Sequence, residues 1–177
     1  MKRVAKFEKV SYEQFEKDYL DTYGLAGDDT SKRLRQEIES MYYGLELPTR
    51  STKFSAGYDF RTPFPFTLKP GETIKIPTGI RCLMNTDYVL MIYPRSGLGF
   101  KYQCNLVNGT GIIDCDFSNS DNEGHIFIKL VNRGNKEFSV TSNTAVAQGI
   151  FLEYGITEDD HVGTERNGGF GSTDKKE

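Results

Sequence analysis

Polar and apolar residues alternate in short runs over most of the chain. Thr73-Ile74-Lys75-Ile76 alternates strictly and lies between Lys69-Pro70-Gly71 and Pro77-Thr78-Gly79. Tyr88-Val89-Leu90-Met91-Ile92-Tyr93 is a continuous apolar run of the kind carried by a strand covered on both faces. His125 to Val131, Glu137 to Val140 and Ala147 to Leu152 add further strand signals. Many short strands at this spacing, from about residue 54 to 155, predict an all-β fold, a sandwich or barrel.

One stretch departs from this period. Phe15, Tyr19 and Tyr23 recur at helical spacing between a Ser11/Gln14 capping pair and Gly24. Leu34, Ile38 and Met41 mark a second helical face that ends at Gly44. Residues 11–44 therefore read as a helical hairpin inserted between a first strand, about Arg3 to Val10, and the β region. Its apolar surface is too small to fold alone, so it is expected to dock on the β body or on a neighbouring subunit. The 177 residues suit a single domain, 1–177, carrying this insertion and a flexible tail from about 160 to 177.

Composition narrows the function classes. A formal net charge of −3 argues against a general nucleic-acid or acidic-membrane binder. No apolar run reaches the length of a membrane span, and the first residues carry no apolar signal core. Cys82, Cys104 and Cys115 are odd in number and lack CxxC spacing, so reduced thiols and a cytoplasmic location are expected. Neither His125 nor His161 stands beside a nucleophile in the sequence, and both read as plain surface or core residues.

Four segments look wrong for plain turns. Ala56-Gly57-Tyr58-Asp59 allows close backbone approach and places one carboxylate. Tyr93-Pro94-Arg95-Ser96-Gly97-Leu98-Gly99 ends a buried strand in a cation, a hydroxyl and two glycines; it suits an anion cradle about as well as a solvated hairpin. Asn108-Gly109-Thr110-Gly111-Ile112-Ile113-Asp114-Cys115-Asp116-Phe117 delivers Asp114 from a Gly-flanked turn beside apolar residues. Such a carboxylate can orient and deprotonate a water; a bare turn is the alternative. Arg166 and the run Gly168-Gly169-Phe170-Gly171-Ser172-Thr173 have the character of a phosphate-wrapping tail without Walker spacing, with Phe170 free to stack on a base.

Taken in order with Val146-Ala147-Gln148, these segments resemble the five motifs of the trimeric dUTPase family over about residues 45 to 174. The resemblance implies a jelly-roll-like β-sandwich in a homotrimer whose sites are shared between chains. It implies hydrolysis of dUTP to dUMP and pyrophosphate, with Asp114 as general base for a water attacking the α-phosphorus. Ser96 and the Gly97 N–H are implied to hold the phosphates, Arg95 to support that turn, and Gln148 to sit on the phosphate and metal-water side. Asn108, Gly111, Ile112 and Ile113 belong to the uracil-reading hairpin, and Asp59 is implied to help order the turn of motif 3. Phe117 stands where the family usually has Tyr and is expected to pack on the sugar. Arg166 would meet the γ-phosphate, Phe170 and Gly171 would close over uracil, and Ser172 and Thr173 would add phosphate bonds. Mg²⁺ would ride on the triphosphate and water without direct protein ligands.

Two alternatives follow from the same residues. dCTP deaminases share the fold but carry a Glu on the strand after motif 3, where this chain has Lys129. A dUTPase-like trimer could instead serve mainly as a regulatory protein-binding module, with residues 11–44 as the partner surface.

Overall fold

Two-sided pairing turns the long apolar run into the spine of the molecule. The computed structural model describes residues 1–27, 31–164 and 166. In chain order the elements are β1 (Ala5–Lys9), α1 (Tyr12–Tyr23), α2 (Lys32–Tyr43), β2 (Thr49–Arg50), β3 (Tyr58–Arg61) and β4 (Phe66–Leu68). They continue with β5 (Thr73–Pro77), β6 (Ile80–Met84), β7 (Tyr88–Pro94), α3 (Ser96–Tyr102), β8 (Cys104–Leu106) and β9 (Gly111–Ile113). A 3-10 turn (Cys115–Asn119) then leads to β10 (Phe127–Asn132), β11 (Phe138–Val140) and β12 (Ala145–Glu153).

The strands form four antiparallel sheets, the largest with order β2-β3-β12-β7-β9. A second runs β5-β10-β8, and the pairs β1-β6 and β11-β4 complete the body. This is the expected all-β class. Phe60, Ile76, Leu90, Ile128, Leu130 and Val146 are fully buried at its centre. Leu90 and Ile92 of β7 face this core, so Val89, Met91 and Tyr93 face outward, as alternation requires. Gly149 of β12 is the close-approach point: a Cβ there would meet Leu90 Cδ1 at 2.8 Å and Phe60 Cε2 at 2.9 Å. Burial pushes the Cys82 thiol up to about 12 and that of Cys104 up to about 11, so both stay protonated and inert at neutral pH.

The helical insertion docks on its own β body. Ser11 Oγ accepts from the Gln14 N–H at 3.1 Å, but the second half of the predicted capping box comes from elsewhere. The Ser11 N–H and Oγ–H both donate to the Glu123 carboxylate, at 2.7 and 2.6 Å, while Gln14 Nε2 donates to Asp18. Phe15 and Ile38 are buried, and Tyr19 and Tyr23 meet Phe64 edge-on. Gly24 closes α1 in the left-handed conformation at φ 63°; Gly44 ends α2 while still right-handed. Among large apolar residues of the described insertion only Leu25 and Tyr43 are exposed, too few for an apolar docking face.

Two long-range polar anchors hold this docking in place. Residues 118–124 form a socket: Ser120 and Gly124 are buried, and Glu123 reaches the α1 cap. A Cβ at Gly124 would come within 2.6 Å of Ser118 Cα, so the socket closes only around glycine. His125 is fully buried and structurally employed. The Gly79 N–H donates to its Nε2 at 2.7 Å, which leaves the ring proton on Nδ1 to donate to Asp18 at 2.6 Å. Burial opposes charge on Asp18, but the hydrogen bonds from His125 and Gln14 outweigh it and hold its pKa below the usual carboxylate value.

Asp18→Ala strands the Nδ1–H of a buried ring and should cost about 1–3 kcal/mol in urea unfolding. A depressed folded pKa contributes stability that is complete above the unfolded carboxylate range. The Asp18 contribution should therefore vanish only as acid titrates through that lowered value, with the wild-type advantage over Asp18→Ala closing below about pH 4. An unchanged gap at lower pH would show that the carboxylate charge is not what holds the insertion.

Candidate active site

The chemistry-bearing residues fall into two clusters. The first is built by the tight connection from β8 to β9, a hairpin-like turn between strands that pair in different sheets. Gly109, at φ 74°, makes its turn, with the Gly109 N–H donating to the Leu106 carbonyl and Asn108 Nδ2 donating to the Thr110 carbonyl. Gly111 lets β9 lie close on β7: a Cβ there would meet Ile92 Cβ at 3.0 Å. Asp114 ends the hairpin in extended conformation, just before the 3-10 turn, and its side chain does not cap that turn. The carboxylate is thus left to face outward, and it pairs with Arg166 Nη2; Asp116 pairs with Arg166 Nε at 3.0 Å. The Arg166 guanidinium also lies 5.8 Å from the centre of the Phe117 ring.

Beside this cluster is a cavity of about 190 Å³, lined by Ile92, Leu106, Asn108, Gly111, Ile112, Ile113, Phe117, Phe127, Lys129 and Arg166. Six of the predicted site residues, Asn108, Gly111, Ile112, Ile113, Phe117 and Arg166, thus meet in one place. Its size suits one pyrimidine ring. A more open cleft of about 440 Å³ continues along Val89, Ile112, Asp114, Asp116, Tyr154 and Arg166. The base-sized hollow and the carboxylates are therefore adjacent.

The second cluster gathers the other three motifs. Arg95, just past β7, pairs with Asp59 of β3 at 2.9 Å, and Ser51 Oγ donates to the same carboxylate at 3.0 Å. Gln148 of β12 lies opposite both Asp59 and Tyr93, and its Nε2 donates to the Pro94 carbonyl at 3.2 Å. Gly57 gives Gln148 its space, since a Cβ would sit 2.5 Å from Gln148 Oε1. Ser96 and Gly97 open α3 and are exposed, so the glycine-rich segment is a short helix rather than the loop expected. Within one chain the Asp59 carboxylate holds Arg95 and Ser51, in the cluster away from Asp114.

The two clusters stand at opposite ends of one strand. Ile113 pairs with Leu90, so Asp114 lies beside the start of β7, whereas Arg95 follows its last residue. Extended chain from Val89 to Arg95 spans about 20 Å. By strand alternation Asp114 and Gln148 fall on the outer side of the sheet, where Met91 and Ile150 are half-buried and Ile112 and Leu152 are 62% and 43% exposed, whereas the cavity lies against the inward-facing Ile92 and Ile113. A larger cleft of about 660 Å³, lined by Arg3, Arg50, Phe54, Tyr58 and Phe151 among others, lies elsewhere and has no acid in its wall.

Arg166 sits on the Asp114 of its own chain, whereas the resemblance implied a γ-phosphate contact; Phe170, Gly171, Ser172 and Thr173 lie outside the described residues. Sequence reasoning missed Phe127 and Lys129 as cavity wall and Ser51 as a partner of Asp59. Burial of Ile128 and Leu130 puts Phe127 and Lys129 on the other face of β10, and that alternation was available as a signal.

Comparison with known proteins identifies the family. A dUTPase family model matches residues 44–174. The deoxyuridine 5'-triphosphate nucleotidohydrolase of Lactococcus lactis is 39% identical over 133 residues, covering 73% of this chain and 89% of that protein. That of Hahella chejuensis is 37% identical, covering 82% and 93%. The crystal structure of the Streptococcus mutans dUTPase superposes with a TM-score of 0.57 at 32% identity, over 63% of this chain and 88% of that one.

Asp59→Ala should leave Arg95 to solvent and cost about 1–2 kcal/mol in thermal or urea unfolding, less than a fully buried pair because the guanidinium is partly exposed. A change below about 0.5 kcal/mol would mean the pair positions Arg95 without stabilising the fold.

Proposed function

The chain belongs to the dUTPase family, enzymes that hydrolyse dUTP, and we propose that it cleaves dUTP between the α- and β-phosphates within a homotrimer whose sites are shared between chains. The separation of the two clusters by about 20 Å of strand carries this reading. An in-line hydrolysis needs the base, the phosphate-binding groups and the nucleoside pocket within a few ångströms of one substrate. One chain holds its pyrimidine-sized cavity and Asp114 at one end of β7, and its Arg95, Ser96 and Gln148 at the other. A neighbouring copy can bring its own Arg95 end to this chain's Asp114 end. The apolar outer face of Met91, Ile112, Ile150 and Leu152 gives the copies a surface to bury.

In this arrangement uracil enters the hairpin cavity and Phe117 packs against the sugar. Asp114 accepts the proton of the water that attacks the α-phosphorus, a role for a carboxylate with one side in solvent and one against apolar residues. The Ser96 hydroxyl and Gly97 N–H of the neighbour bind the phosphate chain, with Arg95 held in place by Asp59. Gln148 presents an amide, fixed by Pro94 and Gly57, to phosphate or metal-bound water. Arg166 leaves the two carboxylates of its own chain for the γ-phosphate in a neighbour's site once substrate supplies the stronger negative charge, which frees Asp114 to act as base. Phe170, Gly171, Ser172 and Thr173 of the same tail close that neighbour's site.

The donor atoms fit magnesium held chiefly by the substrate. Asp114, Asp116 and Gln148 offer oxygen atoms, and no group of three or more His, Cys, Asp or Glu in metal-binding reach exists among the described residues. Bound with the triphosphate, Mg²⁺ would neutralise charge on the leaving pyrophosphate. The free thiols of Cys82, Cys104 and Cys115 fit a reducing, cytoplasmic location. No described helix is long and apolar enough to cross a membrane.

Asp114→Asn should lower kcat for dUTP by about a thousandfold while nucleotide binding persists; a near-normal rate rejects Asp114 as base. Chains lacking residues 165–177 should be inactive yet trimeric by sedimentation. Mixed with Asp114→Asn chains they should regain partial activity, because a mixed trimer can combine an intact base with an intact tail. No recovery, or a fully active monomer, rejects the shared site.

A further inference from the structure

Lys129 is the unexplained member of the cavity wall. Ile92, Leu106, Ile113, Phe117 and Phe127 make that wall apolar, and no carboxylate lines it. The Lys129 ammonium has no hydrogen bond or ion pair among the described residues. Its cross-strand partner on β5 is Lys75, so two like charges stand directly opposite each other, an unfavourable pairing. Lys75 turns to the Phe127 ring, with Nζ 4.3 Å from the ring centre. Lys129 is exposed and its ammonium is open to water; within the fold that ammonium makes no polar contact among the described residues and faces the like charge of Lys75 across the strands.

Its position within the cavity says what it can meet. The Lys129 carbonyl accepts from the Val107 N–H, which places the residue at the turn end of the β8–β9 connection. Asp114 marks the opposite end, where the phosphates lie. A pyrimidine joined to its sugar near Asp114 points the edge bearing its C4 substituent toward the turn. In uracil that substituent is a carbonyl, an acceptor; in cytosine it is an amine, a donor. An ammonium has three donors and no acceptor.

We propose that Lys129 is a specificity-determining residue: its ammonium donates to the C4 carbonyl of uracil and repels the C4 amine of cytosine. This rests on reading the hairpin cavity as the base pocket of a dUTP hydrolase. It adds a side-chain reader to whatever the hairpin backbone contributes.

The test compares kcat/KM for dUTP and dCTP in the wild type, Lys129→Met, Lys129→Arg and Lys75→Met. Lys129→Met should lose about tenfold to a hundredfold on dUTP, mainly through KM, and stay within about threefold on dCTP. Lys129→Arg should keep most of the discrimination, and Lys75→Met should change little. Titration with dUMP and dCMP repeats the comparison without the β- and γ-phosphates. Lys129→Met should melt no lower than the wild type, since it removes the repulsion with Lys75. Equal losses on both nucleotides, or none, would overturn the proposal; the first would make Lys129 a phosphate or field residue. A wild type that binds dUMP over dCMP but does not split dUTP would instead overturn the reading of the reaction and leave Lys129 as a base reader.

Discussion

The pairing of β7 on both edges, with β12 on one side and β9 on the other, is the constraint from which the rest follows. The strand is clamped for its whole length by β12, from Tyr88 opposite Glu153 to Pro94 opposite Ala147. β9 is clamped only to its middle, and this short pairing sets where the hairpin ends and where Asp114 emerges. A doubly paired strand neither bends nor slips without exchanging its inner and outer faces. The distance between the two clusters is therefore a fixed property of the chain.

Local chemistry then refines each end. At one, glycines at 109 and 111 allow the turn and the close approach that deliver the carboxylate. At the other, the ion pair of Asp59 with Arg95 and the seat of Gln148 against Gly57 hold three separate motifs in one patch. Among the described residues, neither cluster gathers three or more His, Cys, Asp or Glu within metal-binding reach.

Much of the fold was legible because burial writes itself into periodicity. The β7 and β12 runs are covered on their inner face by a dense core, and both were visible as apolar strands; the two helices showed through Phe15 and Ile38, which are fully buried. The site was legible in its motifs but not in its geometry. Asp59 illustrates why: a carboxylate two residues after a glycine has no sequence mark telling it to meet Arg95. Glu123 and His125 were unreadable for a related reason. Their partners, Ser11, Asp18 and Gly79, are far away in the chain, and long-range polar pairs leave no period behind. Ser96 was expected in a loop because its neighbours are glycines, yet tertiary packing winds them into a short helix.

The seat of the inserted helices has a wider reach than its place suggests. His125 is in contact with Phe15 of α1 on one side and with Phe127 on the other, at ring separations of 6.2 and 4.6 Å. Phe127 is itself part of the wall of the cavity beside Asp114. The hairpin of helices is thus a buttress that stands two aromatic rings from that cavity, and trimming the enzyme to a minimal β core would remove a support of the pocket along with an ornament of the surface.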